Sequence, residues 1–219
     1  MLSALRYYWI AAKGYRLRPW KSPYIRWRME TFFGEQAAAL DARAFFRLLW
    51  RERARLRAFL RWADQRRRAI DAIAEAPARL RAAVEGLAPQ QLETPYRPGG
   101  WTVRQLVHHL PDSHLNAYTR FKLALTEEEP TIKPYDEAQW ANLADAQSAP
   151  PDISLALLEA LHQRWVLLLK SLQPADFART LRHPERGVMT LDELLSLYAW
   201  HGRHHVAHIT SLRERMGWR

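Results

Sequence analysis

Two threonine-led capping boxes, Thr102-Val103-Arg104-Gln105 and Thr190-Leu191-Asp192-Glu193, constrain the fold of this chain more than any other feature. In each, a hydroxyl and a Gln or Glu side chain satisfy backbone amides that have no partner at a helix N-terminus. The apolar residues that follow recur at helical spacing: Val103, Leu106, Val107, Leu110, Ala117 and Phe121 in the first, and Leu194, Leu197, Tyr198, Ile209 and Leu212 in the second. The first helix is expected to run to about Leu125, and the second to end near Gly217, a residue suited to a C-cap. A third helix is expected from Asp152 to Leu172, where Leu155, Leu158, Leu161, Trp165, Leu168 and Leu169 keep the same period before Pro174 stops it. Asp64 to Leu87 reads as a fourth, which Pro77 should bend or interrupt because proline lacks the amide donor and crowds the preceding turn. Asp41 to about Ala63 reads as one further helix. Thr126 to Pro151 carries Pro130, Pro134, Pro150 and Pro151 and reads as a long loop of the kind that walls a pocket. No strand and no internal repeat is expected. The chain is therefore predicted to be all-α: a four-helix bundle over residues 63–219, preceded by a helical, Arg- and aromatic-rich appendage over residues 1–62.

The net charge of +10 resides in that appendage. Residues 1–68 hold 17 of the 33 Lys and Arg but 5 of the 23 acids, a net of +12, so the remainder is close to neutral. Runs such as Tyr15-Arg16-Leu17-Arg18-Pro19-Trp20 suit contact with nucleic acid or an anionic membrane surface. They suit equally a docked appendage whose Arg side chains snorkel over its own apolar surface, and no nucleic-acid motif is present. Cysteine is absent, which excludes disulfides and thiolate ligands, so any transition-metal site must be built from His and carboxylates. No apolar run reaches the length of a spanning helix and no signal peptide is expected, which points to a cytoplasmic protein.

His201 and His205 lie four residues apart on the last helix, about 40° apart around its axis, and on its apolar stripe. Two imidazoles aimed into a bundle are costly unless something takes their lone pairs, and borderline ions such as zinc or nickel favour such nitrogen donors. A further ligand has to come from His108-His109-Leu110-Pro111-Asp112-Ser113-His114. The stripe places His114 on it, His109 at its edge and His108 away from it, towards solvent. His109 shares its edge with Asn116 and Arg120, a polar strip where an open site could meet substrate, so geometry favours His109 without settling the choice against His114. His204 is expected to be peripheral, and His208 to be an outer group or a core histidine. Trp101, Trp140, Trp165 and Trp200 are expected in bundle packing and pocket walls. His162 and Arg164 are candidates to line the site without a catalytic role, and a helix-surface ion pair would account for Arg164 equally well.

From about Ala63 to Trp218 the chain resembles the YfiT-like branch of the DinB superfamily. The resemblance is carried by Thr94-Pro95-Tyr96-Arg97, Gly99-Gly100-Trp101-Thr102-Val103-Arg104-Gln105, His108-His109-Leu110-x-Asp112-Ser113-His114, Arg120-Phe121-Lys122-Leu123, Lys133-Pro134-Tyr135-Asp136-Glu137, Leu161-His162-x-Arg164-Trp165, His183-Pro184, and Trp200-His201 through His208-Ile209-Thr210. It implies a four-helix bundle in which His109, His201 and His205 bind one divalent ion, zinc or nickel. It also implies a homodimer and a metal-dependent hydrolase acting on a small-molecule substrate, or, by analogy with other branches, a transferase that activates a low-molecular-weight thiol. Residues 1–62 have no counterpart in that core, which leaves open a non-enzymatic adaptor role for the basic segment. In a hydrolase, Asn116 or Arg120 would serve as donors to developing negative charge, and no His-Glu-x-x-His arrangement supplies a carboxylate base.

Overall fold

A computed structural model describes residues 8–33 and 41–218. The chain divides into two compact units, Met1–Arg67 and Arg68–Arg219. In the first, α1 (Pro23–Phe33) and α2 (Ala42–Arg51) precede the start of α3 (Arg53–Val84). The Asp41 carboxylate caps α2 by accepting the Ala44 amide at 2.7 Å. Met29 and Phe45 are buried with Trp20, Ile25, Leu48 and Leu49 against them. Arg16 lies over the Trp9 ring at 3.6 Å, Arg28 over Trp27 at 4.8 Å and Arg53 over Trp50 at 4.9 Å, so these Arg and aromatic residues meet within the chain. The helix expected from Asp41 to Ala63 is instead broken at Glu52, whose amide bonds back to the Leu48 carbonyl (2.9 Å), while the Arg53 guanidinium takes the Trp50 carbonyl (2.8 Å).

The second unit holds the bundle. It is built from the later part of α3, α4 (Val103–Thr126), α5 (Pro151–Ser171) and α6 (Leu191–Met216), each boundary within a residue or two of the periodicity-based expectation for the last three. Leu80 and Ala83 of α3, Val103, Leu106, Val107 and Leu110 of α4, Leu155 and Leu158 of α5, and Ile209 and Leu212 of α6 form one buried cluster. Both capping boxes form: Thr102 accepts the Gln105 amide while Gln105 accepts that of Thr102 (2.9 Å), and Thr190 and Glu193 do the same (Glu193 to the Thr190 amide, 2.8 Å). At the other end of α6, Gly217 adopts a left-handed φ of 65°. Thr190→Ala is expected to lower stability by about 1 kcal/mol, read as a lower midpoint in urea unfolding, because it orphans the Glu193 amide.

Of the two outcomes expected at Pro77, a bend or an interruption, the interruption does not occur: α3 runs through it. The carbonyl of Ile73, which receives no donor from position 77, accepts the His162 Nδ1–H from α5 at 2.6 Å. The absence of strands is also corrected. A hairpin of β1 (Thr180–His183) and β2 (Gly187–Thr190) precedes α6, with Thr180 opposite Thr190 and His183 opposite Gly187, whose φ of 77° completes the turn. Its outer edge ties down the proline-rich loop, through Arg182 N–H to the Pro130 carbonyl (2.9 Å) and Ile132 N–H to the Arg182 carbonyl (3.0 Å). Single-turn helices at Glu137–Trp140 and Ala144–Ser148 interrupt that loop. Among the described residues no helix is long and apolar enough to cross a membrane.

Candidate metal centre

Inside the second unit, α4 contributes His109, and α6 contributes His201 and His205 one turn apart. One ring nitrogen from each of the three lies within 4.8 Å of the others. His201 Nε2 is 3.2 Å from His109 Nε2 and 3.1 Å from His205 Nε2, so the three rings converge edge-on to a common point. His109 and His205 are buried and His201 is half-buried. Burial is the main reason that all three stay neutral: it pushes His109 and His201 down to about 3 and His205 down to about 2, and neighbouring imidazoles add to the effect. Three neutral imidazole nitrogens facing one another are a donor set that could hold a divalent ion and leave it a coordination position open. Trp101 packs on the His109 ring at 4.6 Å. It is delivered there by the turn Arg97-Pro98-Gly99-Gly100, in which Gly99 takes a φ of 69° and the Gly100 amide bonds to the Arg97 carbonyl (2.9 Å).

Behind the triad stands a second layer that spacing did not reveal. His201 Nδ1 is 3.2 Å from His114 Nε2, and His114 Nδ1 is 2.9 Å from His162 Nε2. His114 is fully buried and His162 almost so. Burial holds His162 down at about 4 and His114 well below the usual imidazole range. His114 therefore supports the triad without joining it.

In front lies a cavity of about 540 Å³. The triad, Trp101, Tyr198, and Pro134 and Tyr135 of the anchored loop line it, which gives that loop the wall role expected from its prolines. Arg120 also lines it, although only 8% exposed. Its guanidinium donates to the Tyr198 hydroxyl and to the Lys133 carbonyl, both at 3.2 Å. Both acceptors are neutral, and no ion pair to Arg120 forms among the described residues. Asn116 is not brought to the cavity; its amide donates back to the Asp112 carbonyl of its own helix (2.9 Å).

The solvent-facing assignment of His108 is corrected. It is 5% exposed, with Nδ1 2.7 Å from Ser154 Oγ of α5 and Nε2 3.1 Å from the Ala149 carbonyl. A second packed surface on α4, away from the apolar stripe, covers it. His204 stacks on Trp200 at 4.4 Å at the cavity margin, and His208 stacks on Tyr96 at 4.0 Å. Arg164 is exposed and lies over Tyr118, away from the cavity. Tyr198, read from sequence only as part of the apolar stripe, turns its hydroxyl to Arg120.

Comparison with known proteins places these features in a family. The DinB superfamily matches residues 72–209, a stretch that includes His109, His114, His162, His201 and His205. A Bacillus mycoides (strain KBAB4) protein named "Putative metal-dependent hydrolase" is 58% identical over 149 residues, covering 68% of this chain and 86% of its own length. The Bacillus subtilis "Putative metal-dependent hydrolase YfiT" is 54% identical over 156 residues, covering 71% of this chain and 88% of the relative. The solved structure of Bacillus subtilis YfiT, described as having an unusual four-helix bundle topology, superposes with a TM-score of 0.70 at 54% identity, over 71% of this chain and 90% of that one. By the extent of the family match, and by relatives that it covers for more than four-fifths of their length, the chain belongs to the DinB superfamily.

Proposed function

We propose that the chain is a metal-dependent hydrolase in which His109, His201 and His205 hold one divalent ion, zinc or nickel, through their Nε2 atoms. The observation that carries this reading is the convergence of three neutral imidazole nitrogens at the floor of an open cavity. A fully liganded structural site usually takes four protein donors, and the cluster has three. When bound, such an ion supplies Lewis acidity and lowers the pKa of a coordinated water to about 7. The names of the relatives support the same chemistry.

The chain's own residues do the rest. Trp101 and the Pro134-Tyr135 wall limit water at the cavity floor. Arg120 presents a buried positive charge to the same cavity, where it serves as donor to an anionic substrate group or to negative charge that develops during reaction. Arg120→Ala is expected to reduce kcat/KM by about 10–100-fold, the worth of a hydrogen bond to a charged group, while metal content stays as in wild type. An unchanged kcat/KM would remove Arg120 from the substrate site.

One observation favours a second reading. No carboxylate hydrogen-bonds to any of the three rings among the described residues, and the acids that line the cavity, Asp136, Glu137 and Glu185, sit on its exposed margin. A site without a carboxylate relay suits a cosubstrate that brings its own nucleophile, such as a low-molecular-weight thiol. A panel of esters and amides, and of electrophiles with added thiol, run with and without chelator, separates the two. Turnover with water alone supports the hydrolase, and a strict requirement for thiol supports the transferase. Chelator-insensitive turnover in both arms contradicts both.

A further inference from the structure

The metal centre is tied to a proline two helices away. Pro77 has no amide hydrogen, so the carbonyl four residues earlier, that of Ile73, has no helical donor from position 77. Ile73 is fully buried, and a buried carbonyl left unmet is costly. His162 Nδ1 meets it at 2.6 Å.

A carbonyl oxygen can only accept, which determines where the protons lie on each ring behind it. His162 must carry its proton on Nδ1, and a neutral imidazole has one, so His162 Nε2 is an acceptor. His114 Nδ1, 2.9 Å away, must then be the donor, which leaves His114 Nε2 as the acceptor for His201 Nδ1 at 3.2 Å. His201 Nε2 is thereby left without a proton, and this is the atom turned towards His109 and His205. The rings cannot easily rotate out of this order. His114 lies parallel to His162 (4.9 Å, 19°) and is boxed edge-on by Trp165 (5.8 Å, 82°) and Tyr198 (5.3 Å, 86°).

We propose that His114 and His162 are positioning residues for the metal centre, and that Pro77 creates the acceptor that sets their tautomers. The inference rests on the metal-dependent reading given above. Metal-ligating histidines commonly hand their second N–H to a carboxylate or carbonyl; here the N–H of His201 reaches a carbonyl through two further imidazoles. Every member of the chain is neutral, so it fixes the orientation of His201 without placing a negative charge behind it.

The test uses full-length protein labelled with 15N histidine. Long-range 15N–1H spectra of the metal-free and the zinc-loaded forms are expected to show His162, His114 and His201 all as Nδ1–H tautomers. In His162→Phe the tautomers of His114 and His201 should become mixed, and zinc affinity from competition titration should fall by about 10–100-fold, as for other outer partners of metal ligands. Pro77→Ala keeps the proposal testable where His162→Phe does not fold. Alanine supplies the missing amide and removes a poor helix former, so the variant should melt at or above the wild-type temperature while binding zinc more weakly. A purely structural role for Pro77 would not weaken binding in a chain that is no less stable. Nε2–H tautomers for His201 in the metal-free protein, or wild-type zinc affinity in both variants, would overturn the proposal. Wild-type protein that shows the tautomers but takes up neither zinc nor nickel would overturn the metal-dependent reading and leave the hydrogen-bonded order standing.

Discussion

Alanine at His201 is expected to weaken metal binding more than alanine at His109 or His205. All three changes remove one of three converging nitrogens, but His201 alone also closes the hydrogen-bonded order from Ile73. Without its ring, His114 Nε2 is left facing a void inside the bundle, fully buried and with no donor. The loss should exceed the roughly 10–100-fold that outer partners of metal ligands cost, leaving zinc uptake too weak to measure by competition with a chelating dye. Equal affinities for the three alanine variants would show that the inner layer adds nothing to the triad.

Trp165→Ala should produce the largest loss of stability of any single change in the bundle, about 3–5 kcal/mol by the range for large aromatic truncations. The indole is fully buried and meets Phe121 at 5.5 Å, His114 at 5.8 Å, His162 at 5.9 Å and Tyr198 at 6.0 Å. The cavity left by alanine would therefore open directly onto the imidazoles behind His109, His201 and His205. Trp165→Phe should cost much less, because the indole Nε1 is itself buried without a hydrogen-bond partner and phenylalanine removes that unmet donor. Urea unfolding monitored by circular dichroism measures both. A loss below about 1 kcal/mol for alanine would mean that the bundle closes around the site, against close packing at Trp165.

The parts of this fold that could be read from sequence are those whose cause is local. Thr102 and Thr190 announce helix starts because the cap is made by residues three apart, and Gly217 announces a stop because the left-handed turn is its own. The hairpin is not legible because strands of four residues are too short for alternation to register. His108 was misplaced because a single stripe describes one buried face, whereas α4 is also covered at Ser154 and Ala149. The outcome at Pro77 is not local for a related reason. Whether a proline interrupts a helix depends on whether another segment satisfies the freed carbonyl, and the one that does lies 89 residues away along the chain.

The candidate site divides along the same line. The pair His201 and His205 follows from helical spacing alone, while the choice of His109 over His114 came from family resemblance. The structure separates the two by layer: His109 turns its Nε2 to the triad and His114 turns its own to the back of His201. Arg120 is brought to the cavity with its polar neighbour Tyr198, and Asn116 is not, because its amide is satisfied within its own helix. His162, expected near the site but with no role, emerges as a partner only when α5 packs on α3 and α4.

Elemental analysis of the full-length protein tests the central claim most directly, after purification without chelator and reconstitution with zinc and, separately, nickel. The expected result is close to one equivalent of divalent metal per chain in wild type and its loss in each of His109→Ala, His201→Ala and His205→Ala, with the variants still helical by circular dichroism. Wild-type protein that takes up neither metal, or variants that retain a full equivalent, would contradict the assignment of His109, His201 and His205 as a metal centre.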